Sequence, residues 1–131
     1  MTLPVVGYNG NVKVGSHALA NFSKWTLSGP KVATEKTTPF QAASGFEVNT
    51  PTLISWQATV EGWTDETDTL GQVALMNGVG SVYTLELDTS GSHKWTATTC
   101  ALMTQLDQAV DASKVETLKF TFIGTAPILW S

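Results

Sequence analysis

The chain has 131 residues, 42% of them hydrophobic and 14% charged, a balance that specifies one folded domain over residues 1–131 and excludes a disordered chain. Seven Lys and Arg against eleven Asp and Glu leave a net charge of −4, which argues against gripping a phosphate backbone by counterion release. A single cysteine, Cys100, excludes an intramolecular disulfide and any multi-cysteine metal site.

Surface scaling for this mass predicts a folded area of ~6,700 Å² against ~20,000 Å² unfolded, enough burial for a core without covalent staples. The opening Met1-Thr-Leu-Pro-Val-Val-Gly7 has neither a basic start nor a continuous apolar run, and no later run reaches membrane-spanning length. These features predict a soluble product of a reducing compartment, with no membrane partner.

In chain order, Asn11-Val-Lys-Val-Gly15 alternates apolar and polar residues and ends on a turn glycine, so a hairpin is predicted to begin there. Leu19 to Ser28 is a strand with Trp25 and Leu27 on one parity. From Gly29 to Pro51 the pattern breaks into Pro, Gly, Thr and Ala, with Phe40, Phe46 and Val48 as its large anchors. Such a length without periodicity reads either as a surface loop or as an ordered arm lying on a neighbouring subunit. Thr52 to Glu61 is the clearest strand, with Ile54, Trp56, Ala58 and Val60 on one face and Ser55, Gln57, Thr59 and Glu61 on the other.

Trp63 to Gly78 places Asp65, Glu66 and Asp68 within four positions. A calcium loop needs glycine at its sixth position, and counting from Asp65 that position is Leu70. As a helix of about residues 65–77 the stretch is coherent. Asp65 caps it, Glu66 and Asp68 face the positive end of the dipole, Leu70, Val73 and Ala74 form an apolar stripe, and Asn77-Gly78 stop it with a left-handed turn.

Ser81 to Asp88 alternates with Tyr83, Leu85 and Leu87 on one side, and the turn Thr89 to Ser92 returns the chain into a strand from Lys94 to Gln105. Both faces of that strand carry apolar residues. Thr117 to Gly124 is the last strand, with Leu118, Phe120 and Phe122 inward, before the tail Ala126 to Ser131. The fold class is therefore mainly β: a β-sandwich or partly open barrel of about seven strands with one α-helix.

No chemistry stands out. His17 and His93 sit beside glycine or serine in predicted turns, outside any nucleophile motif, and Gly78-Val-Gly80 follows a helix where a phosphate loop precedes one. An enzyme is the weakest class, and no metal or cofactor is expected. Five tryptophans raise the alternative of a carbohydrate-binding sandwich. Parity assigns Trp25, Trp56 and Trp95 to the core, whereas Trp63 and Trp130 fall outside regular strands and suit an interface.

The order of parts is an N-terminal hairpin, a long irregular segment, a strand ending Val60-Glu-Gly-Trp63, an acidic-capped helix, two antiparallel strands and a closing Lys119-Phe-Thr-Phe-Ile-Gly124. Over about Gly10 to Thr125 this resembles the tail tube proteins of long-tailed bacteriophages. The resemblance implies packed sheets flanked by a helix, subunits joined into hexameric rings, rings stacked into a virion tail beside other tail proteins, and a lumen that DNA traverses without specific binding. It implies a non-enzymatic structural protein made in the bacterial host cytoplasm, with Gly29 to Pro51 as the arm between rings. Interface candidates are Phe40, Phe46, Val48, Trp63, Ile128, Leu129 and Trp130. The segment Lys94-Trp-Thr-Ala-Thr98 lacks a glycine that the family pattern places there, which keeps a capsid decoration or head–tail joining protein as an alternative.

Overall fold

The computed structural model describes residues 10–37, 48–89 and 91–131. Eight strands and one helix follow in order: β1 (Asn11–Val14), β2 (His17–Ala18), β3 (Phe22–Thr37), β4 (Val48–Trp63), α1 (Gln72–Met76), β5 (Val82–Asp88), β6 (Lys94–Ala109), β7 (Thr117–Gly124) and β8 (Leu129–Trp130). Every pairing is antiparallel, and the strands form one sheet of order β2-β1-β5-β6-β7-β4-β3, with β8 added to β6.

The period-2 pattern dictates what lies inside. Trp56, Ala58 and Val60 of β4, Leu85 and Leu87 of β5, and Leu118, Phe120 and Phe122 of β7 are all buried. The sheet curls around them, so that β3 approaches β5: the Trp25 indole donates to the Asp88 carbonyl at 3.0 Å. No ladder joins β3 to β1 or β2 among the described residues, so the curl stays an open sheet. Phe22 stacks on Phe120 with ring centres 5.8 Å apart, and Tyr83 meets Phe122 edge-on.

Strand β6 changes partners along its length. Along one edge it pairs with β5 from Lys94 to Leu102; along the other it pairs first with β8, at Trp95 and Thr96, and then with β7 from Ala101 to Ala109. The change occurs beside Thr99, whose φ of 48° is left-handed and whose N–H is held by the Thr84 hydroxyl at 2.9 Å. This kink lets Cys100 and Ala101, neighbours in sequence, both be buried. Cys100 lies under the segment leading to β8, near the Pro127 carbonyl.

Two expectations change. In the stretch read as irregular from Gly29 to Pro51, the described residues 29–37 and 48–51 are strand: β3 runs to Thr37 and β4 starts at Val48, paired through Lys31↔Ser55, Val32↔Ile54 and Thr37↔Val48. Gly29, at φ 104°, and Pro30 interrupt the side-chain alternation that would have revealed it.

The helix lies within Trp63–Gly78 but occupies only Gln72–Met76, and Asp65 does not cap it. The Asp65 side chain accepts from the N–H and hydroxyl of Thr67 in a local turn, so the first turn of the predicted helix is a loop. Asn77 is the C-cap, but at φ −97° it is not left-handed; the left-handed glycine after the helix is Gly80 rather than Gly78.

Candidate assembly surfaces

The acidic stretch is a structural joint. Gln72 is fully buried and makes three hydrogen bonds: its amide donates to the Ala20 carbonyl at 2.6 Å and the Trp63 carbonyl at 2.8 Å, and its oxygen accepts from the Asp65 N–H at 2.8 Å. Asp68, nearly buried, accepts from the Ala20 and Gln72 N–H groups, both at 3.1 Å, and lies 2.8 Å from His17 Nε2. Burial pushes the Asp68 carboxyl up, but the bonds from Ala20, His17 and Gln72 together outweigh it and hold the group below its ordinary value. Asp65 and Asp68 thus aim at different partners and do not converge on a common point. His17, read from sequence as an exposed turn residue, belongs to this joint.

Because Asp68, Gln72 and Leu75 face inward, the apolar stripe predicted for the helix does not. Leu70 is 74% exposed, and with Ala74 and Val82 it borders a groove of about 350 Å³ beside Tyr83. Sequence reasoning missed this surface because it assigns polar side chains to solvent and apolar ones to the core.

A second surface is the ribbon formed by the outer halves of β3 and β4. Strand β7 pairs with β4 only as far as Gln57, so Val48–Ser55, about 26 Å of extended strand, is paired with β3 alone. Its side chains, where described, are exposed, with Leu53 at 74% and Ile54 at 73%. Ile54 shares parity with the core residues Trp56, Ala58 and Val60, and its cross-strand partner is Val32, 49% exposed. The core-side face therefore continues outward with no layer over it among the described residues. At its root, Pro30, Ile54, Trp56 and the 124–128 segment enclose a groove of about 180 Å³. Phe40 and Phe46 lie outside the described residues, and of Val48 only the backbone pairing with Thr37 is described.

The remaining interface candidates separate. Ile128 is only 4% exposed and belongs to the core, since the Trp56 indole donates to the Ala126 carbonyl at 2.8 Å and draws the segment inward. Leu129 and Trp130 are exposed on β8, where Trp130 stacks on His93 and leans on Trp95, both at 5.4 Å. Trp63 is half exposed in a groove of about 400 Å³ with Glu61, Asp107 and Lys119. Trp63 and Trp130 sit at opposite ends of β6, one near Ala109 and the other on Trp95, so they do not form a joint platform.

Charges on the outer side of β1, β5 and β6 are largely internal. Glu86 lies 3.5 Å from Lys13 and 3.0 Å from Lys94. Burial pushes the neighbouring Asp88 carboxyl up and Glu86 adds to the rise. Asp88 Oδ1 is buried without a hydrogen-bond partner among the described residues.

No known family model matches the chain, and no curated protein sequence does. Solved structures do match in fold. A chain in the virion of a native gene transfer agent particle superposes with a TM-score of 0.76 at 12% identity, over 98% of this chain and 99% of that one. A chain in the sheath/tube terminator of an extracellular contractile injection system, in its extended state, gives 0.70 at 15% identity, over 99% and 98%. A chain in the tail of an empty gene transfer agent particle, refined with C6 symmetry, gives 0.65 at 11% identity, over 88% and 85%. The fold is that of chains in tail and tube assemblies, spanning nearly the whole length.

Proposed function

We propose that the chain is a structural subunit of a phage-type tail, self-assembling into rings that stack as a tube and conduct DNA without binding it specifically. The carrying observation is the ribbon: an isolated two-stranded element is marginal in water, and this one extends the core-side face through Ile54 and Val32 with nothing above it among the described residues. A second copy is the natural cover. The fold shared with chains of tail and tube assemblies supports the same reading, and the sixfold symmetry of one such tail suggests hexameric rings. In this reading the chain has no catalytic role, and its place is the virion tail beside other tail proteins.

Electron microscopy of the purified protein tests the proposal. Rings or tubes are the expected result. A chain that stays monomeric at high concentration by sedimentation would contradict it.

A further inference from the structure

The seam that closes the curl of the sheet carries a chemical feature of its own. The Trp25 indole of β3 donates to the Asp88 carbonyl of β5 at 3.0 Å, across two strands that share no ladder among the described residues. Leu85 and Leu87 point into the core, so alternation sends Glu86 and Asp88 together to the outer side of β5. There Glu86 stands opposite Lys13 and Thr96, and Asp88 opposite Asn11 and Lys94.

By count the charges balance, since the ammonium groups of Lys13 and Lys94 face the carboxyls of Glu86 and Asp88. From β3 the side chain that reaches residue 88 is the neutral Trp25, while His93, next to Lys94, is turned to Trp130 and the Ser131 carbonyl. Distance divides the cations unequally. Both lie on Glu86, Lys13 at 3.5 Å and Lys94 at 3.0 Å, and among the described residues Asp88 has no ion pair.

Asp88 Oδ1 is buried and receives no hydrogen bond, and the side chain within bonding reach of Asp88 is Glu86. Ionised carboxylates are acceptors only, so a bond between these two exists only when one carries a proton. Burial pushes Glu86 up, but Lys94, Asp88 and Lys13 together outweigh it, so Glu86 stays the ionised member. Burial raises Asp88 and Glu86 raises it further, which makes Asp88 the holder of the proton.

We propose that Asp88 and Glu86 form a proton-operated catch on this seam: one proton between the two carboxyls keeps residue 88 in place against the Trp25 indole, and its loss loosens the closure of β3 on β5. The step is an ionisation. The Asp88 O–H bond breaks, its electron pair stays on the carboxylate, and water takes the proton. Two adjacent carboxylates remain, one with a buried oxygen that has no donor. Lys13 and Lys94, 39% and 47% exposed, are held at Glu86 and screened by water, so they do not compensate it. Hydrating that oxygen moves residue 88 outward, and its carbonyl is the acceptor that Trp25 uses. A divalent cation would meet the same two ammonium groups, which leaves the proton as the ligand. The catch belongs to the single subunit and does not depend on the tube reading.

The direction follows from linkage. Opening returns Asp88 to its ordinary value of 3.8, so the closed seam binds the proton more tightly than the open one. A proton held about tenfold more tightly when closed makes opening about tenfold easier once pH has risen past the folded value. Closure is therefore complete below the ordinary value and weakens as pH rises.

Hydrogen exchange of the indole N–H groups, followed by NMR, tests the catch. Trp56 is the internal reference, because its indole donates to the Ala126 carbonyl in a bond that does not involve β5. Intrinsic exchange changes with pH alike for both indoles, so the ratio of the Trp25 rate to the Trp56 rate reports the seam. Between about pH 4 and pH 8 this ratio is expected to rise about tenfold in the parent. In Asp88→Asn, which has no acidic proton to lose and keeps a donor for Glu86, the ratio should hold the parent's low-pH value throughout. Glu86→Gln, whose amide can donate to an ionised Asp88, should also flatten the profile, and it serves alone if the first variant does not fold. A constant ratio in the parent, or a parent-like rise in either variant, would overturn the catch.

Discussion

The carboxylate of Asp68 accepts the backbone N–H of Gln72 at 3.1 Å, and both side chains reach the same residue, Ala20, one through its N–H and the other through its carbonyl. Two polar residues four apart thus fasten α1 to the β2–β3 connection. Removing either exposes the dependence of the joint on the other.

Gln72→Ala leaves the Asp65 N–H and the Ala20 and Trp63 carbonyls without the partner they have now. Unpaired buried groups cost roughly 1–3 kcal/mol each, so a loss of about 3 kcal/mol is expected. Urea unfolding should show a lower midpoint with an unchanged slope. A shift below about 0.5 kcal/mol would mean that water replaces the side chain without cost.

Acid should act through Asp68. Its folded-state value lies below the ordinary carboxylate value of 3.8, so its contribution is complete above that value and is lost as pH falls through the folded one. Stability measured by thermal unfolding should therefore fall more steeply below pH 4 in the parent than in Asp68→Asn. Asp88 has the opposite sign: its folded value is raised, so stability is lost as pH rises through the carboxylate range. Asp88→Asn is expected to raise the melting temperature at pH 7, and a lowered one would contradict this assignment.

Gly124 lies against the Trp56 indole so closely that an added Cβ would overlap it. Gly124→Ala must displace the ring and its bond to Ala126, and overpacking of this kind costs about 1–3 kcal/mol. A red-shifted tryptophan emission should accompany the loss; an unchanged spectrum would mean that the strand moves instead of the ring.

On the ribbon, V32E/I54E alters side chains that are 49% and 73% exposed, so the isolated subunit should change by no more than about 0.5 kcal/mol. Assembly should nevertheless fail, as followed by sedimentation velocity. Ile128→Glu should do the reverse of this pairing of outcomes, unfolding the subunit itself, because Ile128 is buried. Normal tubes from V32E/I54E would remove the ribbon from the interface.

Most of the sheet was legible because each strand buries one face, and parity alone selects Trp56, Ala58 and Val60, or Leu118, Phe120 and Phe122. The joint was not legible. Asp68 and Gln72 look like solvent-facing residues, and only the three-dimensional supply of partners from 17–20 and 63–65 makes them interior. The ribbon was hidden for another reason: Gly29, Pro30 and Pro51 break the alternation in sequence, while the backbone absorbs them as shifts of register. Ile128, one apolar residue after Pro127, has no period to place it. Among the proposed interface residues, Trp63, Leu129 and Trp130 are exposed, but Trp63 and Trp130 do not fall outside regular strands: Trp63 ends β4 against Thr117, and Trp130 belongs to the short strand β8 against Trp95, both too close to a strand end for alternation to show.

Strand β3 pairs on one side with β4, and among the described residues its other side carries no strand over sixteen residues, Phe22–Thr37. An open edge of that length is a template for indiscriminate strand addition, the route to aggregates. Pro30 removes a donor midway, Gly29 turns the backbone aside, and Lys24, Lys31 and Lys36 set like charges along it. Growth by flat stacking of one β3 on another is thereby discouraged, leaving association by the fixed geometry of side-chain contact. For the tube subunit proposed above, an edge poor at joining by default would leave the timing of growth to those side-chain contacts.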